Sequence, residues 1–166
     1  MKGHADEAAA RTALATTELN AGGSCAGDAG LDDFLCFAVY SANHAFNRAY
    51  LPLLDALGLT YTQYLVMVSL WRADGQTVGD LAGHLALESS TLTPLIKRLE
   101  AQGLVKRRRS VADARQVHVH LTDEGQALRA KGAAVPAAIA AATGLDRPAV
   151  ERMRADIARL RAALQR

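Results

Sequence analysis

Thr77-Val78-Gly79-Asp80-Leu81-Ala82-Gly83-His84-Leu85-Ala86-Leu87-Glu88-Ser89-Ser90-Thr91-Leu92-Thr93-Pro94-Leu95-Ile96-Lys97-Arg98-Leu99-Glu100-Ala101-Gln102-Gly103 carries two short amphipathic segments with almost nothing between them. Thr77 suits an N-cap, and the first segment runs to Ala86. Leu87-Glu88 leaves room only for a tight turn. The second segment, Ser89–Gln102, closes at Gly103, a residue free to adopt a left-handed C-cap. Two helices so joined predict a helix-turn-helix. In the second helix Leu92, Leu95, Ile96 and Leu99 share an inward face. Ser89, Ser90, Thr91, Thr93, Pro94, Lys97 and Arg98 are left to the outside, where short hydroxyls reach bases and phosphates and long cations reach phosphates.

Downstream, Leu104–Arg109, a polar turn over Ser110–Gln116, and Val117-His118-Val119-His120-Leu121 predict a hairpin. The last run alternates apolar and polar, the mark of a strand with one covered face. Helix, turn, helix, hairpin is the order of a winged helix, whose second helix enters the major groove. Charge agrees. Ser89–Arg115 holds seven cations against two acids, a local +5 in a chain of net charge +2, while the first thirty residues carry −2. Such a patch is the footprint of phosphate contact, and Arg107 and Arg109 belong to its four-cation run. Asp113-Ala114-Arg115 allows two readings. The acid can hold the arginine in one rotamer by a bidentate pair, ready for a narrow minor groove. Alternatively it is a solvated turn pair of little consequence. His118 and His120 share a strand face, expected to be exposed. No third ligand is placed near them, so neither metal nor cofactor is expected.

The flanks are helical. Asp32 or Asp33 can cap a helix carrying Leu35, Val39, Phe46, Leu53 and Leu57 and ending at Gly58. A second helix follows Thr60, with Tyr64, Val68 and Trp71. Thr122 caps a helix through about Ala142, and Asp146 starts a last one with Val150, Met153, Ile157, Leu160 and Leu164 on one face. Half the residues are apolar and only 5% aromatic, a mainly α composition with a small β-hairpin wing. Residues 1–30 end in a Gly/Ala/Ser run and are expected to form a flexible tail. Residues 31–166 then form a single domain, with 60–122 as the DNA-binding lobe. No membrane span or signal peptide is legible, so a cytoplasmic location is expected.

Two cysteines, Cys25 and Cys36, are too few for a disulfide framework. Cys36 falls in the first turn of the first helix, where unpaired amides favour a thiolate. Burial among Phe34, Leu35 and Phe37 and the nearby Asp32 and Asp33 oppose one. On local grounds it is either a reactive thiol or a small buried hydrophobe.

From Thr77 to Gly125 the chain resembles the MarR family of winged-helix regulators, through the recognition-helix run quoted above, Gly103-Leu104-Val105, Asp113-Ala114-Arg115 and Leu121-Thr122-Asp123-Glu124-Gly125. The resemblance implies an intertwined homodimer, with 31–58 and 123–166 as dimerisation helices, on a pseudo-palindromic double-stranded operator. Leu31–Ser41 is similar to the opening of the organic-hydroperoxide-sensing (OhrR) branch, and the match covers roughly 31–165. The branch implies that Cys36 is the peroxide-reactive residue. It also implies that Tyr50 and Tyr61, from the partner subunit, hydrogen-bond the sulfur, with Tyr40 in the family position. Oxidation to a sulfenic acid would then release the operator. Some members trap that acid with a second cysteine near the last helices. Ala141 and Ala142 stand in that region here, which implies resolution by a small cellular thiol. Cys25, on a Gly-rich tether, is a candidate resolving thiol or else incidental. Three rivals remain. The first is a repressor released by a noncovalent phenolic or aromatic ligand, the second a thiol peroxidase, and the third a winged helix that binds only proteins. The peroxidase lacks an accompanying acid/base pair, so the chain is not expected to be an enzyme.

Overall fold

The computed structural model describes residues 30–110, 113 and 115–166. The tail through residue 29, Cys25 with it, and Val111, Ala112 and Ala114 lie outside the described residues. Contacts divide the chain into two units, residues 1–45 and 46–166.

In the first unit a single 3₁₀ turn, Leu31–Asp33, precedes helix α1, Leu35–Asp55, which continues into the second unit. The expected aspartate cap is not made. Asp33 instead accepts from the Gly30 amide at 3.0 Å, and the Phe34 carbonyl accepts from the amides of Phe37 and Ala38. Cys36 is the second residue of α1 and is exposed in the single chain. The burial among aromatics expected of it is absent within one chain. Leu35, Val39 and Tyr40 are exposed beside it.

The second unit continues with α2 (Tyr61–Arg72), β1 (Gln76–Thr77), α3 (Val78–Leu85), α4 (Ser89–Ala101), β2 (Val105–Arg109), β3 (Val117–Leu121), α5 (Asp123–Gly132), α6 (Val135–Thr143) and α7 (Arg147–Leu164). Side-chain caps set four of the helix starts. Thr60, Thr77, Thr122 and Asp146 each accept from the amide three residues on, and Gln63 and Asp80 return the bond to complete capping boxes. Gly103 closes α4 at φ +74°. Between α3 and α4, Ala86 sits in the left-handed region at φ 51°, a conformation that costs an alanine about 1 kcal/mol.

Two expectations need correction. The hairpin is part of a three-stranded antiparallel sheet in the order β1-β3-β2, with Gln76 opposite Val119 and Val105 opposite Leu121. The helix expected from Thr122 to Ala142 is two helices, broken at Ala133–Ala134. Pro136 is the reason. It has no N–H to give the Gly132 carbonyl four residues back.

The core lies under α4. Leu92, Ile96 and Leu99 are fully buried with Val66, Met67, Leu70, Leu81, Val105 and Val119. Leu95, expected inward, is half-buried. Two buried bonds tie α2 to α5: Trp71 Nε1 donates to the Gly125 carbonyl at 2.8 Å, and the Tyr64 hydroxyl donates to the Gly132 carbonyl at 3.1 Å.

Candidate nucleic-acid interface and thiol site

With Leu92, Ile96 and Leu99 anchored below, α4 turns Ser89, Ser90, Thr91, Thr93, Pro94, Lys97 and Arg98 to solvent. Among the described residues the side chains of Ser90, Thr91, Lys97 and Arg98 have no partner. Thr93 differs, because its hydroxyl already donates to the Ser89 carbonyl at 2.8 Å. It can therefore meet a base only as an acceptor, from a donor on the base edge. Pro94, inside the helix, has no amide to give the Ser90 carbonyl four residues back.

The wing cations divide into two kinds. Lys106, Arg108 and Arg109 are exposed on β2. Arg107 is engaged: its Nε donates to Glu100 Oε2 at 2.7 Å and its amide to Glu100 Oε1 at 2.9 Å. Those bonds, the backbone one first, hold the Glu100 carboxyl below its ordinary pKa. Arg107 thus braces the recognition helix against the first wing strand. The lowered pKa fixes the sign of a pH effect. Stabilisation is complete above the ordinary glutamate value of about 4.3 and is lost as pH falls through the lower folded-state value. Glu100→Gln is therefore expected to lower Tm at neutral pH, with the gap closing below about pH 4. A gap that persists unchanged in acid would refute the pairing.

At the wing tip Arg115, its side chain 92% exposed, approaches Asp113 Oδ1 with Nε at 3.3 Å, and its amide donates to the same oxygen at 3.0 Å. Asp113 Oδ2 receives Gln116 Nε2 at 3.4 Å. The bidentate guanidinium fork does not form. One oxygen serves the turn backbone as well as the arginine, so Asp113 shapes the turn and leaves the guanidinium extended. His118 and His120 are not on an open face either. Both are half-buried: His118 Nδ1 bonds the Gly75 carbonyl at 2.9 Å, and His120 Nδ1 lies 3.7 Å from Asp74 Oδ2. The Asp74-Gly75 turn that leads into β1 meets them, which no hairpin reading could show. No metal-holding cluster occurs among the described residues.

Of the residues assigned to the thiol site, Cys36 and Tyr40 fall in the first unit, where the Tyr40 ring packs edge-on to His44 with centroids 4.4 Å apart. Tyr50 and Tyr61 fall in the second and are brought together, ring centroids 4.7 Å apart. Tyr64, absent from the sequence assignment, joins them at 6.2 Å from Tyr50. Burial, and then Tyr61, raise the Tyr50 pKa, so its phenol keeps its proton and remains a donor.

Comparison with known proteins decides the lineage. Residues 48–131 match the SarA/Rot transcriptional regulator family model. The organic hydroperoxide resistance transcriptional regulator of Bacillus subtilis (strain 168) is 40% identical over 134 residues, 81% of this chain and 86% of its own length. The chain belongs to the MarR family of winged-helix regulators. The HTH-type transcriptional regulator TtmR of Methylorubrum extorquens (strain PA1) is 50% identical over 115 residues, 69% of this chain, and the chain spans 59% of that relative's length. Among solved MarR-like structures, reduced AbfR bound to DNA superposes with a TM-score of 0.67 at 32% identity, covering 95% of this chain and 99% of that one. AbfR, from Staphylococcus epidermidis, is also known in a disulfide form and in an overoxidised form bound to DNA. The family and these relatives are DNA-binding transcriptional regulators rather than enzymes. No helix among the described residues is long and apolar enough to cross a membrane.

Proposed function

We propose that two copies of this chain repress transcription by holding a pseudo-palindromic operator, and release it when an organic hydroperoxide oxidises Cys36. The observation that carries the reading is the sulfur's place. It is exposed in the first turn of α1 of a chain 40% identical to a hydroperoxide-resistance regulator, with the Tyr50–Tyr61 pair already assembled. A second copy accounts for the apolar side chains left exposed on both terminal helices, Leu35, Val39 and Phe46 on α1 and Met153, Ile157 and Leu164 on α7. In that dimer the tyrosine pair of one subunit donates to the sulfur of the other. The thiolate attacks the peroxide, an S–O bond forms as the O–O bond breaks, and the departing alkoxide takes a proton to leave as the alcohol. The sulfenic acid then condenses with a small cellular thiol, losing water and forming a mixed disulfide. Cys25 is the alternative resolving thiol. Loss of the phenol–thiolate bonds shifts the dimer helices and the spacing of the two winged lobes. We assign the protein to the cytoplasm with its DNA, as a sensor that fires once rather than a peroxidase.

The test is a titration of the operator complex with cumene hydroperoxide, with the Cys36 peptide followed by mass spectrometry. Operator release is expected in proportion to oxygen or thiol added at Cys36. Release with that peptide unmodified would overturn the reading. On the DNA side, Ser89, Ser90, Thr91, Thr93, Pro94, Lys97 and Arg98 read or seat the major groove, and Arg109, Asp113 and Arg115 serve the wing. Arg107 acts there through the brace to Glu100. Arg115→Ala is expected to weaken operator binding and to flatten the slope of log K against log salt by about 1. An unchanged slope would remove Arg115 from the phosphate or groove contacts.

A second reading has one observation in its favour. A cavity of about 360 Å³, lined by Tyr64, Val68, Trp71, Arg72, Arg129 and Pro136, offers apolar walls with two guanidinium groups, suited to an aromatic acid. Such a repressor would release DNA with its ligand even without the thiol.

A further inference from the structure

We propose that Tyr64 is a positioning residue of the peroxide sensor, pinned through its hydroxyl to the Gly132 carbonyl so that its ring sets the Tyr50–Tyr61 pair; this rests on the hydroperoxide reading above. Three observations converge. Pro136 leaves the Gly132 carbonyl without its helical donor at the α5–α6 break, and the Tyr64 hydroxyl fills that vacancy at 3.1 Å. Gly132 can come this close because it has no side chain: a Cβ there would lie 2.5 Å from Trp71 Cη2. Tyr64 itself is 3% exposed, and its ring stands 6.2 Å from both Tyr50 and Trp71. The aromatic ring that backs Tyr50 is therefore fastened to the joint between two C-terminal helices. A shift at that joint moves the tyrosine pair, and a displaced pair pulls on the joint. Packing alone does not need the hydroxyl at this position, since phenylalanine fills the same volume. The hydroxyl is what anchors the ring.

The test measures Cys36 reactivity in the full-length reduced protein. Iodoacetamide alkylation of Cys36, read by peptide mass spectrometry from about pH 5 to 10, gives the thiolate midpoint. Tyr64→Phe is expected to raise that midpoint and slow alkylation at neutral pH by about three- to tenfold, the effect of one misplaced hydrogen bond. Tyr50→Phe is expected to act in the same direction, and the double variant to be no slower than Tyr50→Phe alone, because Tyr64 acts through Tyr50. Pro136→Ala restores an amide to compete for the Gly132 carbonyl. It is expected to raise the midpoint while Tm holds or rises, which separates positioning from stability. Should Tyr64→Phe fail to fold, Pro136→Ala decides. An unchanged midpoint in a folded Tyr64→Phe or in Pro136→Ala, or additive slowing in the double variant, would overturn the inference. If Tyr50→Phe also leaves the midpoint unmoved, the sensor reading itself falls and takes Tyr64 with it.

Discussion

Cys36→Ser is expected to keep the operator occupied at cumene hydroperoxide concentrations that release the wild type completely. Serine matches cysteine in shape closely enough for the proposed dimer and the DNA-reading face to be preserved. Operator affinity in reducing buffer should therefore stay within about twofold of wild type, as for a substitution that removes no packed group. A serine hydroxyl is not ionised at neutral pH, and it has no accessible sulfenic state, so the peroxide finds no nucleophile. Even about a hundredfold excess of peroxide should leave the complex intact, since nothing else in the proposed mechanism supplies the nucleophile. Fluorescence anisotropy of a labelled operator reads the result directly. Equal release from both proteins would end the thiol account and favour the cavity beside Arg72 and Arg129.

Gly125→Ala should produce the largest loss of stability of any single methyl group added to the described glycines. The new Cβ would stand 2.0 Å from the Leu104 carbonyl oxygen and 3.3 Å from Leu121 Cδ2. That oxygen cannot swing aside, because it already accepts from the Thr122 amide at 3.1 Å, where β3 meets α5. The Gly125 carbonyl is also fixed, by Trp71. Relief therefore requires moving α5 away from the sheet, an overpacking cost of about 3 kcal/mol or more, and Tm should fall by about 6–12 °C. Gly83→Ala is the built-in control. Nothing lies within 4 Å of its Cβ position on α3. The same substitution there should raise stability by about 0.5–1 kcal/mol through restriction of the unfolded chain. Thermal melts of the two variants should therefore shift in opposite directions. Matching shifts would mean that the close approach at Gly125 is not rigid.

The elements legible in the sequence were those with a local chemical cause. Thr77, Thr122 and Asp146 cap where their side chains can reach an amide three residues on, and Gly103 ends α4 because glycine tolerates positive φ. The α5–α6 break was equally local. Pro136 announces it, but the continuous run of alanines around it reads as unbroken helix unless the missing amide is counted. The third strand had no such signal. Gln76–Thr77 is two residues long and exists only because β3 offers it an edge, and the Asp74-Gly75 turn ahead of it meets His118 and His120. Ala86 at φ 51° is likewise imposed by the packing of α3 against α4 and not by its own preference. At the candidate site the resemblance supplied Tyr50 and Tyr61, whereas Tyr64 and Glu100 emerged only from tertiary contacts. Both act on residues 14 and 7 positions away, Tyr50 and Arg107, across elements that no periodicity joins.

The brace between Glu100 and Arg107 has a mechanical consequence. With the recognition helix tied to the wing's first strand, and that strand paired to β3, the lobe would move as one jaw of a caliper. In the proposed dimer, two such jaws would answer a chemical event by changing the gap between them. A message written at a single sulfur would then be read by the genome as a length.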